Sequence, residues 1–323
     1  MTPKQLSEPR TRSAFRAKLL RWYDRNRRDL PWRKTSDPYR IWVSEIMLQQ
    51  TRVGAVLDHY RRWFERFPTV ETLARAREQS VLAAWSGLGY YRRARNLHAA
   101  AKVVVIERGG RFPQAAEGLR ELPGIGRYTS AAIASIAFGE PEAVVDGNVE
   151  RVLQRVTGKL DLSNAATWEL ADDLIAPKRP GDFNQAMMEL GATVCTPREP
   201  KCLVCPVIDF CGSRGAQPRA KRQRRESVQV AYVLAVHNDK VRMVQRSSHA
   251  SLMAGMWELP QCNVREEEPA ARFRHAILDT NYDVLVYGSD SASENGQWVS
   301  TSRLPRLALT GLARKVLRHF RFL

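Results

Sequence analysis

Four closely spaced cysteines constrain this chain more than any other feature. Cys195, Cys202, Cys205 and Cys211 lie within 17 residues, with six, two and five residues between them. A chain of 323 residues can bury a large core without disulfides, so a shared metal centre explains four clustered thiols better. Zinc usually takes paired C-x-x-C units, and the run has only one, so the spacing favours a 4Fe–4S cluster over zinc. Cys262 has no companion, which predicts a small buried side chain.

The chain also carries a large excess of positive charge. It has 51 Lys and Arg residues against 34 Asp and Glu, a formal net charge of +17. Such an excess is typical of proteins that bind a polyanion, most simply nucleic acid. No apolar run is long enough to span a membrane, and the N-terminus lacks the apolar segment of a signal peptide. We therefore expect a cytoplasmic protein without membrane attachment.

The residue pattern divides the chain into three parts. Residues 11–215 predict a bundle of short helices, because apolar positions recur at helical spacing and turn signals such as Gly87-Leu88-Gly89 interrupt them. Residues 216–227 are polar and basic, and predict an exposed linker near phosphates. Residues 228–323 predict a small α+β domain with these elements: strands at Val228–Val236, Lys240–Gln245, Tyr282–Tyr287 and Gln297–Ser300, and a helix at the end of Leu304–Phe320.

A short hairpin that opens onto a helix is predicted at Leu122–Ile133. Gly124 and Gly126 let the backbone turn tightly and approach a ligand closely. The amides at the start of the following helix, beside Arg127, can then hold a phosphate without reading a base. A lone G-x-G is usually only a turn, but Leu-Pro-Gly-Ile-Gly followed by a helix of small residues is the helix-hairpin-helix pattern of DNA repair proteins.

Two carboxylates have contrasting surroundings. Asp146 precedes an apolar helical stripe and is most simply an N-cap, but it follows the hairpin by about twenty residues and could face a strand held there. Glu45 shares a helix face with Ile41 and Leu48, so its pKa should be raised, although a surface glutamate is the simpler alternative. One protonated and one ionised acid are what cleavage of a glycosidic bond requires. On DNA, this pair suggests a glycosylase that acts on a flipped base.

Further motifs extend over residues 20 to 212, about two-thirds of the chain: Leu30–Arg33, Trp42–Thr51, Trp85–Tyr91, Ala94–His98, Leu122–Ile133, Val145–Asn148, Phe183–Gly191 and the cysteine run. In this order they resemble the MutY adenine DNA glycosylases of the endonuclease III superfamily. The resemblance implies a mainly α, two-lobed helix-hairpin-helix glycosylase, with a six-helix barrel and a 4Fe–4S cluster lobe. DNA would lie between the lobes, and an α+β Nudix-like domain would follow.

The resemblance also implies roles for single residues. Glu45 would protonate adenine, and Asp146 would stabilise the sugar cation or bond to it. Tyr128 and Asn148 would support that centre. Endonuclease III-like enzymes that also nick DNA carry a lysine at the position of Tyr128, where it forms a Schiff base. Tyrosine cannot form one, so we predict base removal without efficient strand cleavage.

The implied binding residues come from the same resemblance. Trp32, Arg33 and Glu189 would line the adenine pocket, while Gln50 and Tyr90 would fill the space left in the duplex. The simpler alternatives are core aromatic residues at Trp32 and Tyr90, a solvent amide at Gln50 and a surface charge at Glu189.

The cluster would be structural, and would hold the Arg198–Lys201 loop towards phosphates. In the C-terminal domain, Leu252–Pro260 resembles the Nudix-like domain of MutY. Arg265–Pro269 lacks the glutamate pattern of hydrolytic Nudix domains, so the domain should bind rather than hydrolyse. Where MutY places a Phe-Ser-His loop that senses 8-oxoguanine, this chain has Ile277-Leu278-Asp279. The nearby His275 is more simply structural.

The leading hypothesis is a monofunctional DNA glycosylase that acts as a monomer on double-stranded DNA. It would remove adenine mispaired with 8-oxoguanine or guanine. One rival is a glycosylase for thymine or uracil opposite guanine, against which the Ser44–Thr51 run argues. The other is a non-catalytic DNA-damage binding protein that keeps the cluster. The presence of both Glu45 and Asp146 argues against that rival.

Overall fold

The computed structural model describes residues 6, 8–159, 161–215, 226–250, 252–277, 280–289 and 295–323. The chain forms two compact units, each built from separate segments. The first unit comprises Met1–Tyr60, Thr69–Glu71 and Ala99–Ala220; the second comprises Arg61–Pro68, Thr72–His98 and Lys221–Leu323. Residues 72–98 therefore pack with the C-terminal part of the chain, although they precede the predicted linker. The domain limits at 216–227 stay a prediction.

Residues 9–193 are helical, as the apolar spacing predicts. The helices are α1 (Pro9–Asn26), α2 (Pro38–Leu48), α3 (Val53–Arg66), α4 (Val70–Arg75), α5 (Glu78–Trp85), α6 (Arg92–Arg108), α7 (Ala116–Arg120), α8 (Arg127–Phe138), α9 (Gly147–Thr157), α10 (Asn164–Leu174) and α11 (Pro180–Thr193). Short 3₁₀ turns lie at Pro31–Arg33, Cys202–Val204 and Ile208–Phe210. The core of the first unit joins α1, α8, α9 and α11 through buried residues such as Phe15, Leu153 and Phe183.

The ends of several helices follow from their residues. Proline occupies the first position of α1, α2 and α11 at Pro9, Pro38 and Pro180, where its missing N–H costs no hydrogen bond. The sequence Pro180-Gly181 is a turn signal, but in the structure it forms the start of α11. Glycines with left-handed backbone end α8 and α9, at Gly139 (φ 75°) and Gly158 (φ 74°).

The second unit contains a sheet packed against a C-terminal helix. Its strands are β1 (Glu226–His237), β2 (Lys240–Gln245), β3 (Trp257–Glu258), β4 (Gln261–Cys262), β5 (Ala271–Ile277), β6 (Thr280–Ser289) and β7 (Gln297–Ser300). The order is β3-β2-β1-β6-β5, with β4 paired to β1 and β7 paired to β2. Strands β1 and β6 run parallel, and the others that pair do so antiparallel. After a 3₁₀ turn at Thr301–Arg306, α12 (Gly311–His319) buries Leu312, Val316 and Leu317 against the sheet.

The structure changes two details of the predicted C-terminal part. Strand β1 begins at Glu226, so the last two residues of the predicted linker are strand. Both pair with β6, because backbone hydrogen bonding does not depend on apolar side chains. Cys262 is half-buried rather than buried, and packs beside Ala231, Leu285 and Tyr287.

Some predicted features lie outside the described residues. These are residues 216–225 of the linker and Leu278 and Asp279 of the implied sensing loop; for Ile277, the structure describes the backbone alone. Among the described residues, no helix has both the length and the apolarity that crossing a bilayer requires.

Candidate active site

A cavity of about 660 Å³ opens in the first unit. It brings together most of the site residues named from the sequence: Trp32, Arg33, Glu45, Gln50, Tyr128, Asp146, Asn148 and Glu189. Its volume lies in the range of small-molecule sites. The two acids named from the sequence therefore share one cavity, although they lie about a hundred residues apart in the chain.

Glu45 lines the cavity and is almost fully buried. It lies on α2 between the buried residues Trp42 and Ile46, and 5% of its surface is exposed. Burial raises the pKa of Glu45 to about 7, against the opposing effect of a hydrogen bond from Tyr128, and Asp146 also raises it. The surface-glutamate alternative is therefore wrong. A carboxyl with this pKa can deliver a proton near neutral pH.

Tyr128 holds the Glu45 side chain in place. Its hydroxyl donates to Glu45 Oε2 at 2.7 Å and lies 3.3 Å from Met188 Sδ. Burial raises the pKa of Tyr128 well above its ordinary value, and Glu45 raises it further. The phenol thus stays protonated at neutral pH and acts as a hydrogen-bond donor.

Asp146 is the N-cap of α9 and faces the same cavity. Its Oδ1 accepts hydrogen bonds from the backbone N–H groups of Asn148 and Val149 at 2.9 and 2.8 Å. Its Oδ2 accepts a third, from Asn148 Nδ2 at 2.9 Å. Three donors fix the orientation of this carboxylate. The capping explanation is therefore correct, and it does not exclude a role in the cavity.

Glu189 is fully buried and ion-paired, so the surface-charge alternative is wrong. Arg28 donates to it from its backbone N–H, Nε and Nη2, and Arg33 donates from Nη2, at distances of 2.6 to 3.1 Å. Burial alone would raise the pKa of Glu189, but these hydrogen bonds outweigh it and hold the pKa at about 2. Because the bonds engage both oxygens, Glu189 acts on the cavity mainly by fixing Arg33.

Trp32 and Gln50 line the cavity from the two segments that flank α2. Trp32 lies in the 3₁₀ turn before α2, with 6% of its surface exposed and its ring centroid 5.3 Å from that of Tyr60. It is both a core aromatic residue and part of the cavity wall. Gln50 follows α2 with a φ of 54°, a backbone conformation that costs energy for a residue other than glycine. Gln50 is exposed, which agrees with the solvent-amide alternative as well as with the implied role in the duplex.

The predicted hairpin precedes α8. Gly124 has a φ of 77°, which favours glycine, and Gly126 is the N-cap of α8. Arg127 begins the helix, and its guanidinium lies 3.9 Å from the ring centroid of Trp168 and 3.4 Å from Asp172 Oδ2. These two contacts hold Arg127 beside the first amides of α8, where an anion would bind.

Tyr90 belongs to the second unit. Its side chain is 45% exposed and its φ is 49°. The core-aromatic alternative is therefore wrong for Tyr90.

The four clustered cysteines form no disulfides, and their side chains lie close enough to influence one another. Burial raises the pKa of Cys205 to about 12, and the thiols of Cys195, Cys202 and Cys211 raise it further. The buried Arg155 donates from Nη1 to Cys195 Sγ at 3.3 Å. Such a donor set fits a thiolate-bound centre. No group of three or more His, Cys, Asp or Glu side chains within the described ranges could hold a single metal ion.

Comparisons with known proteins identify the family. Residues 43–171 match the model of the HhH-GPD superfamily base excision DNA repair proteins. A solved thermostable thymine-DNA glycosylase is 35% identical, with a TM-score of 0.60, over 64% of this chain and 97% of that one. The chain belongs to the HhH-GPD superfamily. Endonuclease III in a trapped covalent complex with DNA shares the fold, at 22% identity and a TM-score of 0.55 over 62% of this chain and 93% of that one.

Curated HhH-GPD relatives carry a common name. The human adenine DNA glycosylase is 51% identical over 216 residues, which are 62% of this chain and 40% of that protein. The rat adenine DNA glycosylase is 41% identical over 329 residues, 82% of this chain and 63% of that protein. This chain thus spans roughly 40 to 63% of the length of these relatives. The resemblance to MutY proteins is confirmed.

Two arginines of this HhH-GPD site were not identified from the sequence. Arg28 neutralises Glu189, and Arg151 joins three parts of the site. Arg151 donates from Nη2 to Asn148 Oδ1 at 2.9 Å and to the Gly191 carbonyl at 2.7 Å, and from Nε to the Cys195 carbonyl at 2.9 Å. Local spacing could not reveal these contacts, because Glu189 lies 161 positions from Arg28, and Gly191 and Cys195 lie 40 and 44 positions from Arg151.

Proposed function

We propose that this protein is a monofunctional DNA glycosylase that removes adenine mispaired with 8-oxoguanine or guanine. The observation that carries the proposal is that Glu45 and Asp146 line one cavity, where burial raises the pKa of Glu45 to about 7 and three hydrogen bonds orient Asp146. Adenine as the excised base follows from the curated relatives, which include the human and rat adenine DNA glycosylases. The base opposite follows only from the MutY resemblance.

In this proposal, the two acids act on opposite ends of the bond that breaks. Adenine leaves poorly as an anion, so Glu45 donates its proton to a ring nitrogen of the flipped base. The C1′–N9 bond then breaks, and the electron pair leaves with the neutral base. Asp146 would lie near the resulting oxocarbenium ion and stabilise it until water adds to C1′ and releases one proton to the solvent. The raised pKa of Glu45 thus suits its task as a proton donor near neutral pH.

Tyr128 supports base removal without strand cleavage. A Schiff base with the deoxyribose needs an amine, and a phenol has none. The hydroxyl is also engaged, because it donates to Glu45. Endonuclease III has been trapped in a covalent complex with DNA. We expect no such covalent adduct at Tyr128. Borohydride should trap no wild-type adduct with DNA through this residue.

Single-turnover base release across several duplexes tests the proposal. We expect fast release of adenine from A:8-oxoguanine and A:G duplexes, slower release from A:C, and none from T:G. Asp146→Asn keeps a side chain of the same size that can still cap α9, and should abolish release while duplex binding remains. Full activity in this variant would overturn the mechanism.

A thymine glycosylase is the second candidate, because the solved thymine-DNA glycosylase is 35% identical to this chain. Release of thymine from the T:G duplex, without release of adenine, would favour it. The curated relatives support adenine with higher identity, up to 51%.

We also propose that Cys195, Cys202, Cys205 and Cys211 hold a structural 4Fe–4S cluster. The spacing of the run carries the choice of metal, because zinc sites usually take paired C-x-x-C units and this run has only one. Four cysteines with unequal spacing fit a 4Fe–4S cluster better. The bound cluster would hold the segment between Cys195 and Cys202, including Arg198 and Lys201, in a fixed position near phosphates.

Metal analysis of the purified protein tests the cluster. We expect about four irons and four acid-labile sulfides per chain, with visible absorbance from iron–sulfur bonds. Cys205→Ser should lower both, while Cys262→Ser should leave both unchanged. Stoichiometric zinc without iron would overturn the cluster assignment.

The C-terminal sheet is proposed to bind DNA as a Nudix-like domain beside the lesion. The strands β1, β2, β6 and β7 agree with the predicted strand positions. This proposal needs no hydrolysis, because the Arg265–Pro269 segment lacks the glutamate pattern of hydrolytic Nudix domains. Its test is loss of the preference for 8-oxoguanine over guanine when residues 226–323 are removed.

A further inference from the structure

The loop between α5 and α6 holds Tyr90 in a strained conformation. Gly87 and Gly89 have φ angles of 110° and 72°, and Tyr90 itself has a φ of 49°. Inside the loop, Trp85 Nε1 donates to the Gly89 carbonyl at 3.0 Å, and Arg93 Nη2 donates to the same carbonyl at 3.3 Å. A tyrosine keeps this backbone conformation only when its surroundings enforce it.

The residues on either side of the loop share one acceptor in the C-terminal part of the second unit. Ser86 Oγ donates to the carbonyl of Leu309 at 2.8 Å, and the hydroxyl of Tyr91 donates to the same oxygen at 3.2 Å. Arg314 Nε donates to Ser86 Oγ at 3.0 Å, which orients the serine hydroxyl towards Leu309. Ser86, Tyr91 and Leu309 are all buried. The loop that carries Tyr90 is therefore attached at both ends to a single carbonyl.

The sheet fixes that carbonyl. Trp257 in β3 accepts a hydrogen bond from the Thr310 N–H at 2.9 Å and donates one to the Ala308 carbonyl at 2.8 Å. Leu309 itself is fully buried, and α12 begins two residues later. The Leu309 oxygen is thus a rigid anchor on the C-terminal part of the chain, more than 200 residues from the loop.

We propose that Ser86, Tyr91 and Arg314 are positioning residues, which use the Leu309 carbonyl to hold Tyr90 ready to enter duplex DNA. This inference rests on the proposed function and on the duplex-filling role that the MutY resemblance implies for Tyr90. An exposed aromatic ring that enters a base stack must be ordered, and a loop ordered in advance lowers the entropy that binding costs. The Arg93 guanidinium, 5.5 Å from the Tyr90 ring centroid, supports the ring from one side. The C-terminal part of the chain would therefore act on the duplex through this tyrosine as well as through its own surface.

The test measures stacking and affinity without needing base release. The probe is a duplex with an abasic-site analogue opposite guanine and 2-aminopurine beside it, whose fluorescence rises when it unstacks. In Ser86→Ala and in Tyr91→Phe, we expect about fivefold weaker binding of this duplex, the factor that one neutral hydrogen bond is typically worth. The fluorescence rise should shrink, whereas binding of an undamaged duplex should not change.

Gln79→Ala provides the matched control. Gln79 Nε2 donates to the Gly255 carbonyl at 3.2 Å, so this variant removes another bond between α5 and the C-terminal part, away from the Tyr90 loop. It should leave the fluorescence rise and the affinity unchanged. Equal losses in Gln79→Ala and Ser86→Ala would show a general structural effect and overturn the inference.

A double-mutant cycle with Tyr90→Ala separates positioning from simple stability. If Ser86 acts through Tyr90, then adding Ser86→Ala to Tyr90→Ala should weaken binding no further. A full additional fivefold loss in the double variant would contradict the inference. Because these readouts need only binding, absence of adenine release would refute the proposed function while leaving this test intact.

Discussion

Glu45 and Glu189 line the same cavity, yet their surroundings move their pKa values in opposite directions. Burial alone would raise both. Glu189 receives hydrogen bonds from two guanidinium groups, which hold its pKa at about 2. Glu45 receives one from the neutral phenol of Tyr128, and its pKa stays at about 7. The number of charged partners therefore decides which carboxyl carries a proton at neutral pH.

The pKa of Glu45 predicts the pH dependence of base release. The group must be protonated to act as the acid, so single-turnover release should fall as pH rises through about 7. In Tyr128→Phe the donor that stabilises the carboxylate is absent, so the pKa of Glu45 should rise. The alkaline limb should then move to higher pH, even if the maximal rate falls.

Glu45→Gln provides the control for this profile. It should reduce release by about 100- to 10,000-fold, the usual contribution of a general acid, and should lack the limb near pH 7. A limb at the same pH in wild type and Tyr128→Phe would show that Tyr128 does not tune Glu45.

Among the helices, the approach of α11 to α9 positions the Asp146 cap. A Cβ atom at Gly191 in α11 would lie 2.6 Å from Asn148 Cβ and 2.9 Å from the Asn148 carbonyl oxygen. Only glycine lets the two helices come this close. Asn148 in turn donates to Asp146, so the helix contact reaches the carboxylate through one side chain.

Gly191→Ala should therefore impair base release by displacing Asn148 and the Asp146 cap. We expect a stability loss of about 1–3 kcal/mol from overpacking, and a fall in single-turnover rate larger than that of the control. The control is Gly181→Ala on the same helix, where a Cβ atom would lie 2.7 Å from Ile136 Cα and from the Ser135 carbonyl. Equal rates in the two variants at equal stability would contradict a specific effect on the cap.

The sequence predicted some of the helices and strands and missed others. The apolar stripe of α9 placed Asp146 at a helix start, because helical spacing is a local signal. Strand β5 was missed, although Arg272 and Arg274 alternate with Ala271 and Phe273 at the spacing of a half-buried strand. The close approach at Gly191 was also missed, because it depends on which helix packs opposite.

At the scale of the whole molecule, the two units do not follow the order of the chain. Residues 72–98 and 221–323 belong to one unit, so a segment between parts of the first unit packs with the C-terminal sheet. The contacts include Arg95, which donates to the Ala254 carbonyl, and Ser86, which donates to the Leu309 carbonyl. The order of the motifs predicts which site residues each segment contains. Long-range packing decides which segments fold together as one unit.

Removal of residues 216–323 should therefore destabilise the helical region that remains. Residues 72–98 would lose the carbonyl acceptors at Ala254 and Leu309 and the apolar surface that covers them. We expect the temperature of the thermal transition, followed by the helical circular dichroism signal, to fall by several degrees, about what a loss of 1–2 kcal/mol produces.

A full chain cut once between residues 215 and 226 provides the matched control. Its two pieces should copurify, and their thermal transition should lie close to that of the intact protein. The reason is that non-covalent contacts between the pieces do not need an intact linker. If the truncated chain melts like the intact protein, residues 72–98 do not depend on the C-terminal part for stability.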